Sequence, residues 1–481
     1  MKNLLYIVLL TVIFVGCDDR LEELNTDQKN PASVAAESLF ARATREAVDN
    51  IVSMSVNDNP FRLYSQMWAQ TTYPDESQYT ITAREISLGI WTNQYRDVLI
   101  DLKDARQIIA TELAEGTSGN SDANLGNRMA IIDILMGYTY ITMVDIFGDI
   151  PYTEALDPTN LNPVYDDAAT IYTSVAGNLT TASTTLLANT AEGGFGSSDL
   201  VYGGDAAAWA RFANSIKLRM AMKLASTNSA TSVTWANEAM TAGVITTNAQ
   251  NFAMTYQTSS PNTSPVHEDL VLSGRADFIA ANTVVDMMNT YNDPRRSVYF
   301  RENLGAGVFD GGIYGDANAY ANFTQIGDIL HQPTTPGVLY NAAETHFLMA
   351  EMVERGGYSV TGTAETHYNA GITASFDQWG ATIGTYLTEP TVAYTTATGT
   401  WQQKIGTQLW LALYNQGLEG WSTWRRMGYP AFNAPPTMTV ADIPVRMTYP
   451  LRELTLNGTN YSAAASKIGG DAVTTRVFWN Q

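Results

Sequence analysis

Cysteine is nearly missing from this 481-residue chain, which has one, at position 17. A lone thiol closes no intramolecular disulfide and builds none of the Cys-rich clusters that hold structural zinc or iron–sulfur centres. Histidine is almost as scarce: His267, His331, His346 and His367 are the four, and none stands in the HExxH spacing of a zinc hydrolase. The serine elbow GxSxG is absent, as is any glycine-rich loop ending in GK[ST] to cradle phosphate. No cofactor is called for by any motif. Positive charge is also in short supply, with 27 Lys and Arg against 48 Asp and Glu, a net charge of −21 and a pI near 4.5. Such a surface repels phosphate backbones, which excludes nucleic acid as a partner. After residue 15 there is no uninterrupted apolar run of the eighteen or so residues that would mark a membrane helix.

What is present is apolar and aromatic material: 45% hydrophobic residues, with 10 Trp, 25 Tyr and 15 Phe, enough for a packed interior. The chain opens with Met1-Lys2-Asn3 and the apolar run Leu4 to Val15, the pattern of a secretory signal peptide. A helix over that run would span about 18 Å, short of a hydrocarbon core of about 30 Å. Phe14-Val15-Gly16-Cys17 resembles a bacterial lipobox, in which the chain is cut before the cysteine and the thiol is acylated. Asp18-Asp19 resembles the surface-export signal of Bacteroidota lipoproteins, whereas in other lineages an Asp there resembles a signal for inner-membrane retention. The expected organisation is therefore a signal peptide over 1–16, an acylated tether over 17–30, and one large domain over 31–481.

Helical signals dominate that domain. Ser121-Asp122 starts a run with Leu125, Met129, Ile132, Leu135 and Met136 on one face, and Gly148 ends it. Thr335-Pro336 predicts a cap for a helix through Val338, Ala342, His346, Ala350 and Val353 to Gly356-Gly357. A second run carries Tyr368, Ile372, Phe376 and Trp379, so the two make a hairpin of the tetratricopeptide kind. A third, with Trp401, Ile405, Leu409 and Leu413, leads into Gly417–Met427. Residues 180–205, 256–275, 303–328 and 381–400 lack a period and read as long loops. The fold class expected is mostly α, a single large helical domain with tetratricopeptide-like pairs and long irregular loops.

Chemistry is concentrated in two of the non-periodic segments. Trp68, Tyr73, Tyr79 and Trp91 stand among Asp75, Glu76, Gln78 and Arg84. Flat rings offer rigid apolar platforms, and carboxylates, amides and guanidinium groups grip hydroxyls, which suits a sugar or a peptide. Phe309, Tyr314, Tyr320 and Phe323 lie in a Gly-rich segment expected at the surface. The candidate ligand residues are Trp68, Tyr73, Asp75, Gln78, Tyr79, Arg84, Tyr314 and Tyr320. Asp310, Asp316 and Asn318 could offer oxygens to calcium but lack an EF-hand's final Glu, so they read as a solvated turn. The four histidines read as packing or surface residues. Two carboxylates placed for glycan cleavage leave no motif, so a secreted glycan-cleaving enzyme stays open beside a binding protein and a helical scaffold that binds only proteins.

Several motifs together resemble the SusD/RagB family of outer-membrane nutrient-binding lipoproteins, in its SusD-like branch. They include ELNTDQKNP at 23–31, WAQTTYPDESQYTI at 68–81, VDIFGDIPYTEAL at 144–156, ETHFLMAEMVERG at 344–356 and EGWSTWRRMGYP at 419–430. The resemblance implies a helical protein anchored on the outer leaflet as a lid over a TonB-dependent transporter barrel (SusC-like). It also implies capture of oligosaccharides, or in some members peptides, without catalysis. Trp209, Asn214, Arg219, Trp424, Arg425, Arg426, Tyr449 and Glu453 would hold the fold together, and the ligand platform would fall in 68–91 and 309–323.

Overall fold

A computed structural model describes residues 34–82 and 84–481; the expected signal peptide over 1–16 and the expected tether over 17–30, with Cys17, lie outside the described residues. Helix accounts for 54% of the structure and strand for 4%, as the periodicities require. The longer helices are α1 (Ala36–Val52), α2 (Ile100–Glu115), α3 (Asp122–Phe147), α4 (Ala168–Ala188), α5 (Ala206–Lys223), α6 (Ser229–Ala242) and α7 (Asn282–Thr290). They continue with α8 (Ala342–Arg355), α9 (Ala364–Trp379), α10 (Trp401–Ala412), α11 (Gly417–Met427) and α12 (Gly458–Lys467). Helices α1 to α6 pack each against the next along the chain, and α8 packs on α9 and α10 in the same way. This is the stacked-pair arrangement expected of tetratricopeptide-like arrays.

Local chemistry sets many boundaries. The Ser121 hydroxyl accepts the Asn124 N–H at 3.1 Å, and Gly148, at φ 89°, closes α3. Asp167, Asp205, Asn228, Thr363 and Thr400 cap their helices in the same manner. Helix α3 is long and apolar enough to cross a membrane by composition, yet its side chains are buried between neighbouring helices from Tyr138 to Phe147.

Two boundaries depart from expectation. Residues Gly337–Tyr340 form strand β4, so α8 starts at Ala342, capped by the Asn341 side chain, which accepts the Glu344 N–H at 2.9 Å. The strand exists because Phe252–Met254, strand β2, lies beside it in antiparallel register. The expected loop at 180–205 begins nine residues late, since α4 runs to Ala188. Its threonines satisfy their hydroxyls on the preceding turn, as Thr184 does on the Thr180 carbonyl at 2.8 Å. The other sheet pairs β1 (Trp68–Gln70) with β3 (Phe278–Ala280), Trp68 opposite Ala280.

Buried ion pairs brace the array, and the one between Arg219 and Glu344 joins its two helical groups. Arg219 of α5 grips Glu344 of α8 through Nε–Oε1 at 2.6 Å and Nη2–Oε2 at 2.7 Å, and Lys223 reaches Asp145 of α3 at 2.6 Å. Arg425 of α11 lies 3.6 Å from the Trp421 ring centroid and donates to the Asp145 carbonyl at 2.7 Å. Trp209 is fully buried, its indole N–H on Asp199 at 2.7 Å. Tyr449 donates to the Asp149 carbonyl at 2.8 Å, and Glu453 accepts from Tyr165 at 2.6 Å. These residues hold elements together, in line with the expectation from the motifs.

Candidate functional site

The two aromatic segments, separated by more than two hundred positions, meet beside the β1–β3 sheet. A parallel bridge sets Gly312 against Ala281, with the Gly312 N–H on the Ala280 carbonyl at 2.9 Å and the Asn282 N–H on the Gly312 carbonyl at 2.8 Å. Only a glycine permits this approach at 311, where a Cβ would stand 2.5 Å from the Asn282 backbone nitrogen. Gly315 adopts φ 77° with Pro435 Cβ where its own Cβ would point. The Asn318 amide then ties the loops, donating to the carbonyls of Gln70 (2.9 Å), Ile313 (3.0 Å) and Asp316 (2.9 Å) and accepting the Ile313 N–H at 2.8 Å. From the other side, Gln78 donates to the Gly315 carbonyl at 2.9 Å.

The segment after β1 is shaped by one side chain, Gln70. Its amide donates to the Tyr73 carbonyl at 3.0 Å and to Glu76 Oε2 at 2.6 Å, and its oxygen accepts from the Ser77 hydroxyl at 2.7 Å. Three non-glycine residues here hold left-handed backbone, Tyr73 (φ 55°), Tyr79 (φ 61°) and Glu85 (φ 50°), a conformation that persists only where surrounding bonds enforce it. Glu76 is fully buried and forms an ion pair with Arg84, whose other terminal nitrogen donates to Asn57 Oδ1 at 2.6 Å.

The eight candidates divide by exposure. Tyr73 presents 74% of its surface to solvent, Arg84 is exposed, and Asp75, Gln78 and Tyr320 are half-buried. Trp68 and Tyr314 are buried at 1% exposure, which corrects the expectation that both rings face a ligand. The Trp68 indole donates to the Tyr414 hydroxyl at 3.3 Å and lies 5.3 Å from the Arg62 guanidinium. Burial brings that guanidinium down to about 10. Tyr79 packs edge-on to Tyr64 at 5.5 Å and tilted to Tyr314 at 6.5 Å, and burial pushes its phenol up to about 12. Trp68, Tyr79 and Tyr314 thus support the loops from beneath, and the outer surface belongs to Tyr73, Asp75, Gln78, Arg84 and Tyr320.

Sequence reasoning missed the exposed aliphatics Val308 and Ile313, near half-exposed, and the organising roles of Gln70 and Asn318. A mid-loop amide carries no periodic signal. Asn318, weighed as a calcium ligand, spends its side chain on the loop backbone. Among the described residues no group of three or more acidic or histidine side chains is placed to hold a metal. The outer surface combines an open phenol with an amide, a carboxylate and a guanidinium, donors and acceptors suited to a neutral polyhydroxylated ligand.

Solved structures share this architecture. A chitin-binding protein is 25% identical, covering 93% of this chain and 99% of its own, with a TM-score of 0.77. A chitin-binding SusD homologue from Flavobacterium johnsoniae is 26% identical, covering 92% and 98%, with a TM-score of 0.76. A SusD homologue from Bacteroides uniformis, 23% identical over 92% of this chain and 99% of that one, shares the fold at a TM-score of 0.76. No curated protein matches the chain. The family model described as starch-binding associating with outer membrane matches residues 28–450, and the chain accordingly belongs to the SusD-like family.

Proposed function

We propose that this protein is a non-catalytic, surface-displayed lipoprotein that binds oligosaccharide on the outer face of its two joined loops and passes it to a TonB-dependent transporter barrel. The observation that carries the reading is the open Tyr73 ring, held in left-handed backbone at the rim of a loop braced by Gln70 and Asn318. A pyranose face stacks on such a ring with little entropy cost, and Asp75, Gln78 and Arg84 offer hydrogen bonds to its hydroxyls. N-acetylated glycans are the first class to try, because relatives that cover nearly the whole chain bind chitin. Acylation at Cys17 supplies the anchor, each buried methylene adding about 0.8 kcal/mol.

Calorimetry with chito- and malto-oligosaccharides and with short peptides tests the reading. Tyr73→Ala is expected to weaken glycan binding about tenfold, or about 1.4 kcal/mol, without changing the melting temperature. If Tyr73→Ala, Arg84→Ala and Tyr320→Ala all bind as the parent does, the site lies elsewhere, and binding of peptides alone makes the nutrient a peptide. Cys17→Ser is expected to abolish lipid labelling and release the protein from membranes.

A further inference from the structure

Apart from the loop surface, a cavity of about 490 Å³ opens between the C-terminal end of α1, the β2–β4 sheet, the end of α9 and the α10–α11 turn. That volume lies within the range of small-molecule pockets, roughly 300–1,000 Å³. The pleat of the sheet builds one wall. Phe252 and Met254 of β2 turn into the core, so Ala253 between them turns toward the cavity, and its register partner Val338 does the same between the buried Gly337 and Leu339. Val52, Ile329 and Pro336 extend the apolar wall.

The polar groups of the inner lining are committed elsewhere or out of reach. Asn248 donates to the Ala374 carbonyl at 2.8 Å and accepts from Asn251 at 3.3 Å, whose own oxygen accepts the Ala342 N–H at 2.8 Å. Thr335 donates to the Ile329 carbonyl at 2.6 Å, the Tyr414 hydroxyl to the Tyr299 carbonyl at 3.2 Å, and Asn415 Oδ1 accepts from Arg62 Nε at 2.8 Å. The Gln416 amide and the Trp379 indole N–H are unpaired, but both are sealed beneath the surface, where no ligand touches them. The interior therefore presents chiefly carbon, which selects an apolar body.

Charge is polarised across the cavity. Asp377, exposed at the mouth, is the one charged residue of the lining. Behind the inner wall stands the Arg62 guanidinium, 3% exposed, which donates to the Val52 and Ser53 carbonyls, both at 2.6 Å, as well as to Asn415, with no carboxylate among these partners. A buried charge is weakly screened, so a cation is disfavoured at the inner wall and favoured at the mouth. The chain's net charge of −21 also raises the concentration of cations at its surface.

We propose that this cavity is a second ligand site, for an amphipathic amine whose apolar, ring-sized body fills the interior and whose ammonium group meets the Asp377 carboxylate at the mouth. The apolar wall selects the body, and the placement of Asp377 against Arg62 selects the head group and its direction. The inference does not depend on the loop surface binding glycan.

The test is calorimetry and thermal denaturation of the mature protein with three indoles that share one body and differ in the head: tryptamine, tryptophol and indole-3-acetate. Tryptamine should bind saturably, raise the melting temperature and bind about threefold more tightly than tryptophol, the size of an exposed charge pair, with indole-3-acetate the weakest. Asp377→Asn should bring tryptamine to the affinity of tryptophol and leave tryptophol unchanged. Ala253→Leu, which fills the cavity from the sheet, should weaken both at least tenfold, and Tyr73→Ala should change neither. The proposal is overturned if none of the three binds saturably, or if indole-3-acetate binds as tightly as tryptamine. It is overturned equally if Asp377→Asn keeps the preference for tryptamine, which assigns that preference to the overall negative charge, or if binding survives Ala253→Leu in a protein that still melts as the parent does. Should Ala253→Leu fail to fold, the exposed Asp377→Asn decides.

Discussion

Arg219 and Glu344 are each 3% exposed, and their two-pronged contact joins α5 to α8 with Glu419 of α11 close by at 3.5 Å from Arg219. A charge pair this deep adds little over an apolar pair of the same volume, but removing one partner strands the other in a low-dielectric interior. Arg219→Leu leaves Glu344 without its bidentate partner and is expected to destabilise the protein by about 3–5 kcal/mol. Urea unfolding measures this, and a loss under about 1 kcal/mol would mean the carboxylate finds solvent or a proton at small cost. The same residue-scale reasoning separates the site's rings: along the chain Trp68 and Tyr314 are aromatic residues in the same kind of segment as Tyr73, and burial alone sorts the two buried rings from the exposed one.

Between elements, α8 and α9 meet partly through histidines. The His346 and His367 rings stand 6.3 Å apart and nearly parallel, and His346 Nε2 lies 3.0 Å from the Thr246 carbonyl. Burial lowers the His346 imidazole below its usual 6.5, the carbonyl contact opposing and His367 adding to the shift. The unfolded chain therefore takes up a proton, near its ordinary value, that the folded chain resists. Stability is expected to fall as pH drops through about 6.5, and to be restored above it. Urea midpoints at about pH 7.5 and 5.5 should differ less in His346→Gln than in the parent. Part of the slope should remain, because burial lowers His331 as well. An unchanged slope would place the proton-linked stability on other groups.

At the scale of the whole molecule, the loop surface exists because a Gly-rich segment reaches across to a sheet formed by residues 68–70 and 278–280. Gly311→Ala puts a methyl group against the Asn282 backbone, which cannot rotate away as a side chain could. The expected result is a loss of about 1–3 kcal/mol, typical of overpacking, together with weaker glycan binding and an unchanged helical circular dichroism signal. Loss of helix on this substitution would show instead that the loops are needed to fold the array.

Periodicity and caps made the helices legible, because Ser121, Gly148 and the apolar spacing in α3 or α9 act within one or two turns of chain. The same local logic failed at 335–341, where β2, more than eighty residues upstream, supplies the hydrogen bonds that turn an apparent helix start into β4. The two aromatic segments could be named from composition, since rings and amides without period are visible along the chain. Which rings face solvent could not, because Asn318, Gln78 and Gly311 decide it through contacts with Gln70, Gly315 and Asn282. The sequence by itself determined helical architecture, family motifs and an acidic chain with one cysteine. Only tertiary structure decided that Trp68 and Tyr314 lie beneath the surface and that Gln416 lines a cavity unpaired, since burial depends on distant partners rather than on neighbours in sequence.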